Sequence, residues 1–425
     1  MITLGCAKNL YDSEKVLGGL AGAGVEVAHD TEPHPGDTVI VNTCGFIRPA
    51  QEESIDTILS LAEARRRGRI RRLIVMGCLV ERFADTLQQE IPEVDHWIGA
   101  NKTDEVIQRL ISRPLDNWHH HLLRRPLTPR HYAYLKIAEG CDRPCAFCAI
   151  PQMRGRFRSR PIEELVQEAR RMADQGVREL IIIAQDTTYY GLDIYGKRRL
   201  ADLLQAIADI EPLQWIRLHY AFPTGFPMEV LEVMRRHPKI CNYLDIPLQH
   251  ASTPVLQRMR RGITEEKTYQ LIDTIRQKNP DIAIRSTFLV GFPGETEDDF
   301  QRLLRFIETT RLDRVGVFTY SHEEGTHAFQ YADDVPEEVK ESRAAALMET
   351  QRTISYEKQQ ALIGRRLPVI LDHREENGWI GRTEYDSPEV DNEVWLPAAV
   401  EAAPGDFLTV HITAADEYTL TAMPV

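Results

Sequence analysis

The chain has 425 residues, 43% of them apolar and 27% charged, with a formal net charge of −13. That length and balance fit two to four globular domains with sizeable cores. The charge argues against a generally nucleic-acid-coated surface and permits a basic protein partner. Apolar runs such as LIVMGCLV at 73–80 are far too short to span a bilayer. LGCA at 4–7 has no room before it for a hydrophobic targeting segment, so the expected compartment is the cytoplasm, with no membrane partner. Seven cysteines are too sparse, and odd in number, for a disulfide scaffold.

Residues 1–110 alternate strand and helix. MITLGC, DTVIVNTC and RRLIVMGC read as buried strands. NLYDSEKVLGGLAGAG, PAQEESIDTILSLAEARRRG and ERFADTLQQEIP read as helices, the second opening at Pro49 and followed by Gly68. The expectation is a small α/β domain with a parallel sheet. Residues 111–131, rich in Pro, His and Arg, read as a linker, with His119–His121 as a solvated run rather than a metal site.

From 132 the βα alternation returns. YAYLKIA, ELIIIAQ, WIRLHYA, YLDIPLQ, IRSTFLVG and RVGVFTY are six candidate strands, which predicts a partial TIM-like (β/α)6 barrel with functional loops at the strand carboxyl ends. A charged helix over about 336–362 follows. Residues 365–425, short strands broken by Gly, Pro and Asp, suggest a small β-barrel. The expected fold class is therefore α/β with a C-terminal small β-barrel.

Two cysteine sets carry the chemistry. GCDRPCAFCAIPQMRG at 140–155 holds Cys141, Cys145 and Cys148 in one loop after the first barrel strand. Three thiolates suit a 4Fe–4S cluster whose fourth iron stays open. Zinc, with His131 or another residue as fourth ligand, is the alternative left by the spacing alone. Cys6, Cys44 and Cys78 each end a predicted strand, at intervals of about one strand–helix–strand unit. In a parallel sheet the carboxyl ends share one edge, so three distant cysteines can converge. Three buried strand thiols would be the bland account. Cys241, in KICNYLD, reads as a core thiol.

C-x3-C-x2-C in the first loop of a partial βα barrel, with Phe147 before the third cysteine, resembles the radical S-adenosylmethionine (SAM) superfamily over 132–330. The resemblance implies that the open iron chelates SAM, and that one electron cleaves it to methionine and a 5′-deoxyadenosyl radical. It places SAM contacts at Gln185 and Asp186 in AQDTTYYG, at Gln249 and His250 in LQHAS, and at Gly291 in VGFPGET. Gly291 and Gly294 read equally as turn formers, and His250 as a satisfied polar residue at a strand end.

A cysteine-bearing α/β domain followed by such a barrel resembles, over the whole chain, the radical SAM methylthiotransferase family. The family implies an auxiliary 4Fe–4S cluster on Cys6, Cys44 and Cys78, a radical SAM cluster on Cys141, Cys145 and Cys148, and a C-terminal TRAM barrel. The implied boundaries are 1–110, 111–131, 132–355 and 356–425. GCAKNLYDSE at 5–14, NTCGFI at 42–47 and IPQMRG at 150–155 look most like the ribosomal-protein branch, since the tRNA-modifying branch usually has Gln and Met in place of Ala7 and Lys8. That branch implies methylthiolation of an aspartate β-carbon in small-subunit ribosomal protein S-twelve. It also implies two SAM molecules, one as methyl donor and one as radical source, and a low-potential donor such as flavodoxin or ferredoxin. A tRNA adenosine methylthiotransferase is the alternative, and a non-catalytic iron–sulfur RNA-binding or assembly protein the outside reading. The first strand has only four residues before Gly5, fewer than relatives usually have.

Overall fold

The computed structural model describes residues 1–111 and 124–425. Most of the expected linker, and His119–His121, lie outside the described residues. The described residues fall into two compact units. The first comprises Met1–Thr128, Ala138–Arg143 and Cys148–Arg158; the second comprises Pro129–Ile137, Pro144–Phe147 and Ser159–Val425. The loop bearing the second cysteine set is thus divided, with Cys141 and Cys148 in the first unit and Cys145 in the second.

The first unit is built on a four-stranded parallel sheet of Ile2–Thr3, Thr38–Thr43, Arg72–Gly77 and His96–Gly99, in chain order. Successive side chains on a strand face opposite ways. Val39, Val41, Leu73 and Val75 therefore pack with the helices Arg48–Arg66 and Cys78–Glu90 through Ile58, Leu61, Leu79 and Leu87. Ile40, Ile74 and Met76 pack on the other face with Ala7–Gly22 and Thr103–Leu110 through Val16, Leu20, Val106 and Ile107. The short first strand does pair, Ile2 with Val41 and Thr3 with Asn42. Buried Arg124, beyond the undescribed segment, pairs with buried Glu14 at 3.0 Å.

The second unit carries six parallel strands in chain order: Tyr132–Lys136, Glu179–Ile183, Trp215–Leu218, Ile240–Asp245, Ala283–Val290 and Arg314–Thr319. The sheet is open, as the expected partial barrel requires. Helix Glu337–Gln360 leads to a closed five-stranded barrel of Arg366–Arg374, Gly378–Thr383, Glu393–Pro397, Thr419–Pro424 and Phe407–Ala415, in that spatial order. Closure leaves no free edge.

Charged groups join this small barrel to the six-stranded sheet. Buried Glu179 accepts from Arg217 Nε at 2.7 Å and from Arg382 Nη2 at 2.7 Å. Arg382 also binds both oxygens of Asp372, and Oδ1 meets His131 Nε2 at 2.8 Å. Asp386 accepts from Arg314 Nε, Asp391 from Tyr243 and Arg285, Glu389 from Tyr132, and Glu384 from the Asn242 N–H. His131, named as a fourth ligand in the zinc alternative, thus engages Asp372 through Nε2. Cys241 is buried beside Trp215, Tyr243 and Ala283 as a core thiol, and burial pushes it up to about 12.

Candidate functional site

Cys6, Cys44 and Cys78 stand at successive strand-to-helix turns on the carboxyl edge of the four-stranded sheet. Cys6 is the N-cap of Ala7–Gly22, and Cys78 is the first residue of Cys78–Glu90. Cys44 directly follows Thr38–Thr43, with its backbone N–H donating to the Ser54 hydroxyl at 3.1 Å. Helix N-termini favour thiolates. Glycines let the three turns approach. A Cβ on Gly5 would lie 2.8 Å from Cys44 Cβ and 3.2 Å from its Sγ. A Cβ on Gly45 would lie 2.8 to 2.9 Å from the backbone of Cys78 and Leu79.

The thiols feel one another and two cations. Desolvation acts to raise the pKa of Cys6, but Lys8, Arg154 and the N–H groups of Asn9 and Lys8 outweigh it, leaving the thiol below its usual range. Burial pushes Cys44 up, with Cys6 adding to the rise and Arg154 opposing it. Burial pushes Cys78 up to about 11, again with Arg154 opposing. Among the described residues, no three His, Cys, Asp or Glu side chains are gathered round one point as ligands of a single ion. A four-iron cluster instead takes one thiolate per iron, over a wider span.

Gly45→Ala tests the convergence. The new methyl group meets backbone, so no rotamer change relieves it. Overpacking of this kind costs about 1–3 kcal/mol, and the strain falls on the turn that brings Cys44 to Cys78. The expected result is lower iron retention by the N-terminal triad, read by iron analysis after desalting, with the α/β domain still folded by circular dichroism.

In the second cysteine set, the Cys141 N–H donates to the Gly155 carbonyl at 3.1 Å, and the Arg143 N–H to Cys141 Sγ at 3.4 Å. A cavity of about 270 Å³ opens here, lined by Cys141, Asp142, Arg143, Pro151, Gly155 and Arg156. Cys145 Sγ lies 3.3 Å from Nη1 of buried Arg261, whose guanidinium stacks over Phe222. Phe147 packs edge-on against Phe292, the residue after Gly291.

The remaining expected SAM contacts are placed as follows. Asp186 is buried, and its carboxylate caps Thr187–Tyr189 by accepting from the Thr188 N–H at 2.9 Å and hydroxyl at 2.6 Å. Gln185, beside it, is half-buried. Half-buried Gln249 bridges to the neighbouring strand: its N–H donates to Thr287 O and its carbonyl accepts from the Leu289 N–H. His250 is wholly buried; Nδ1 accepts from the Ser252 N–H at 2.9 Å, and burial pushes the ring down to about 3, keeping it neutral. The N–H groups of Gly291 and Phe292 donate to Glu295. Burial pushes Glu295 up to about 7, against Arg343 and those donors. Asp186, His250 and Glu295 each accept from a backbone N–H of their own loop.

Asn9, Asp12, Arg154 and Arg261 escaped the sequence reading. A signal was present for the first two: Asn9, Asp12, Ser13 and Glu14 are polar residues on a helix face that is buried.

Comparisons with known proteins agree with this architecture. Profiles described as "Uncharacterized protein family UPF0004", "Radical SAM superfamily" and "TRAM domain" match residues 1–99, 135–307 and 363–425. Proteins named "Ribosomal protein uS12 methylthiotransferase RimO" are similar throughout. That of Christiangramia forsetii is 51% identical over 428 residues, covering 100% of this chain and 94% of the relative. That of Porphyromonas gingivalis is 50% identical over 425 residues, covering 99% and 98%. Among solved structures, the radical SAM methyltransferase TsrM from Kitasatospora setae aligns with TM-score 0.54 at 16% identity, over 75% of this chain and 74% of that one. The cobalamin-dependent radical enzyme OxsB aligns with TM-score 0.53 at 13% identity, over 83% and 57%. At such identities the structures speak for fold alone.

Proposed function

Because the chain belongs to the uS12 methylthiotransferase family of radical SAM enzymes, we propose that it methylthiolates the β-carbon of an aspartate in ribosomal protein S-twelve, uS12. The observation that carries the reading is the convergence of Cys6, Cys44 and Cys78 on one sheet edge, in a chain that also bears the C-x3-C-x2-C loop. The reaction uses SAM and iron–sulfur clusters. Cys6, Cys44 and Cys78 would hold an auxiliary 4Fe–4S cluster; Cys141, Cys145 and Cys148 would hold the radical SAM cluster. The unactivated C–H bond needs hydrogen-atom abstraction, and the bound cofactors supply both the radical and the methylthio group.

The protein's part is placement. The N-terminal helix ends and glycine turns hold three cysteine side chains at one edge, where they would serve as thiolate ligands. Phe147, Gln185, Gln249 and Gly291 are proposed to border SAM, with Asp186, His250 and Glu295 fixing the loops behind them. A low-potential carrier such as flavodoxin or ferredoxin is the proposed reductant, and the cytoplasm the proposed compartment. No helix among the described residues is long and apolar enough to cross a membrane. Domain boundaries at 110, 131 and 355 are proposed on the same reading.

A net-acidic small barrel supports a basic protein substrate, but less strongly than its composition alone. Of its acidic residues, Asp372, Glu384, Asp386, Glu389 and Asp391 bond within the second unit. The exposed acids Glu375, Glu376, Glu393, Glu401, Asp406 and Asp416 remain to attract a basic partner and repel a phosphate backbone. Isolated uS12 is expected to bind more tightly at low salt, and Lys at Glu375, Glu376 and Glu393 to weaken it.

The deciding experiment is mass spectrometry of uS12 and of bulk tRNA from cells with and without the protein. Methylthio-aspartate lost from uS12 on deletion supports the reading. Unchanged uS12 with tRNA losing its methylthio group would replace it with the tRNA alternative. An intact pattern in both would leave the non-catalytic reading.

A further inference from the structure

Arg154 ends the short helix Ile150–Arg154, six residues beyond Cys148, and is among the largest wholly buried side chains. It lies in the first unit with all three N-terminal cysteines. Its Nη1 meets Asp12 Oδ2 at 2.6 Å, Glu139 Oε2 at 3.4 Å and Asn101 Oδ1 at 3.5 Å, while Nη2 donates to Asn9 Oδ1. Its carbonyl accepts from Asn101 Nδ2 at 2.9 Å.

Asn9 passes this contact to the cysteine turns. Its Nδ2 donates to Leu4 O at 2.8 Å, just before Gly5–Cys6, and to Thr43 O at 3.0 Å, just before Cys44. Its Oδ1 stands 3.8 Å from Cys78 Sγ. One buried cation thus reaches all three turns through one amide. A buried ion pair is weak evidence for stability, because well-packed apolar residues often do as well. The arrangement therefore invites an explanation in the site.

We propose that Arg154 is a positioning residue for the auxiliary cluster: through Asn9 it fixes the three cysteine turns, and its charge raises the reduction potential of the group they hold. The inference rests on the reading that Cys6, Cys44 and Cys78 bind an iron–sulfur cluster. Three thiolates make such a site electron-rich. Reduction adds a further negative charge, which a nearby buried cation stabilises with little solvent screening. Asp12 and Glu139 balance the guanidinium and act in the opposite sense, so removing Asp12 should strengthen what removing Arg154 weakens.

The test uses full-length protein carrying Cys141→Ala, Cys145→Ala and Cys148→Ala, reconstituted without oxygen, so that only the N-terminal triad can hold iron. Potentiometric titration followed by electron paramagnetic resonance reads the midpoint. Arg154→Met is expected to lower the equilibrium constant for reduction at least tenfold, about 59 mV for a one-electron couple. Asp12→Asn is expected to raise the midpoint, and Arg154→Lys to stay nearer the parent than Arg154→Met. Opposite shifts from Arg154 and Asp12 are not the signature of a merely structural role.

An unchanged midpoint in an iron-loaded Arg154→Met protein would overturn the inference while leaving the cluster assignment intact. If Arg154→Met fails to fold or load, Asp12→Asn decides alone: a raised midpoint supports the inference, and an unchanged or lowered one overturns it. A parent protein without iron would instead overturn the cluster assignment, and the inference with it.

Discussion

A chain in which Cys6, Cys44 and Cys78 are replaced by Ala is expected to keep reductive cleavage of SAM and to lose methylthio transfer completely. The three residues share one edge of the first sheet and contribute no thiol to the C-x3-C-x2-C loop. Wild-type protein reconstituted without oxygen should hold about eight irons per chain, and this variant about four. Replacing Cys141, Cys145 and Cys148 should also halve the iron, but should abolish 5′-deoxyadenosine formation as well as product. Iron analysis and chromatography of the SAM products separate these cases. Full iron in either triple variant would refute the ligand assignment, and methylthiolated uS12 from a Cys44→Ala protein would end the auxiliary role proposed here. Stoichiometric zinc after anaerobic purification would restore a structural metal site.

Glu179→Gln should strongly destabilise the second unit. Glu179, Arg217 and Arg382 are all buried, and the carboxylate holds both guanidinium groups at 2.7 Å. Removing Glu179 leaves buried Arg217 with no carboxylate, only the Glu384 carbonyl, while Arg382 keeps Asp372, at a cost of about 3 kcal/mol. For a domain of this size that is a fall of roughly 10 °C in Tm, measurable by calorimetry. Changing Glu179 to Leu together with Arg217→Met should restore part of the loss, because that pair of charges leaves together and Arg382 keeps Asp372. The pH dependence has a definite sign. Burial acts to raise Glu179, but Arg382 and Arg217 outweigh it and hold the carboxyl below its ordinary 4.5. Its contribution is therefore complete above that value and lost as the pH falls through the lower folded-state pKa. Glu179→Gln should flatten this acid limb; an unaltered acid limb and Tm would show that the network contributes nothing.

What could be read from the chain alone was whatever depends on local period and spacing. The strands DTVIVNTC and RRLIVMGC announced themselves as apolar runs, and the structure puts them at Thr38–Thr43 and Arg72–Gly77. The six barrel strands were likewise legible, because burial on both faces makes each a short apolar block. His96–Gly99 was not, because HWIG is too short and mixed to show a period. The sequence reading put the three cysteines at strand ends; the structure puts them just past the strands, in the turns into the following helices. Their convergence followed from parallel pairing, which puts like ends on one edge.

Tertiary structure alone decided what the polar residues do. His131, a conceivable metal ligand by type, is bonded to Asp372 at a distance of 241 residues along the chain. His250 and Asp186, plausible cofactor contacts by position, are buried and bonded to neighbouring backbone. Five acids of the last domain are bonded to residues in or beside the six-stranded sheet, so the sequence overstated the charge available to a partner. Arg154 carries no local sign that it lies beneath cysteines more than seventy residues away. The reason is general: an apolar residue needs only to be covered, and periodicity reports which side is covered. A buried charge must find a specific opposite group, and which one it finds depends on how distant elements pack.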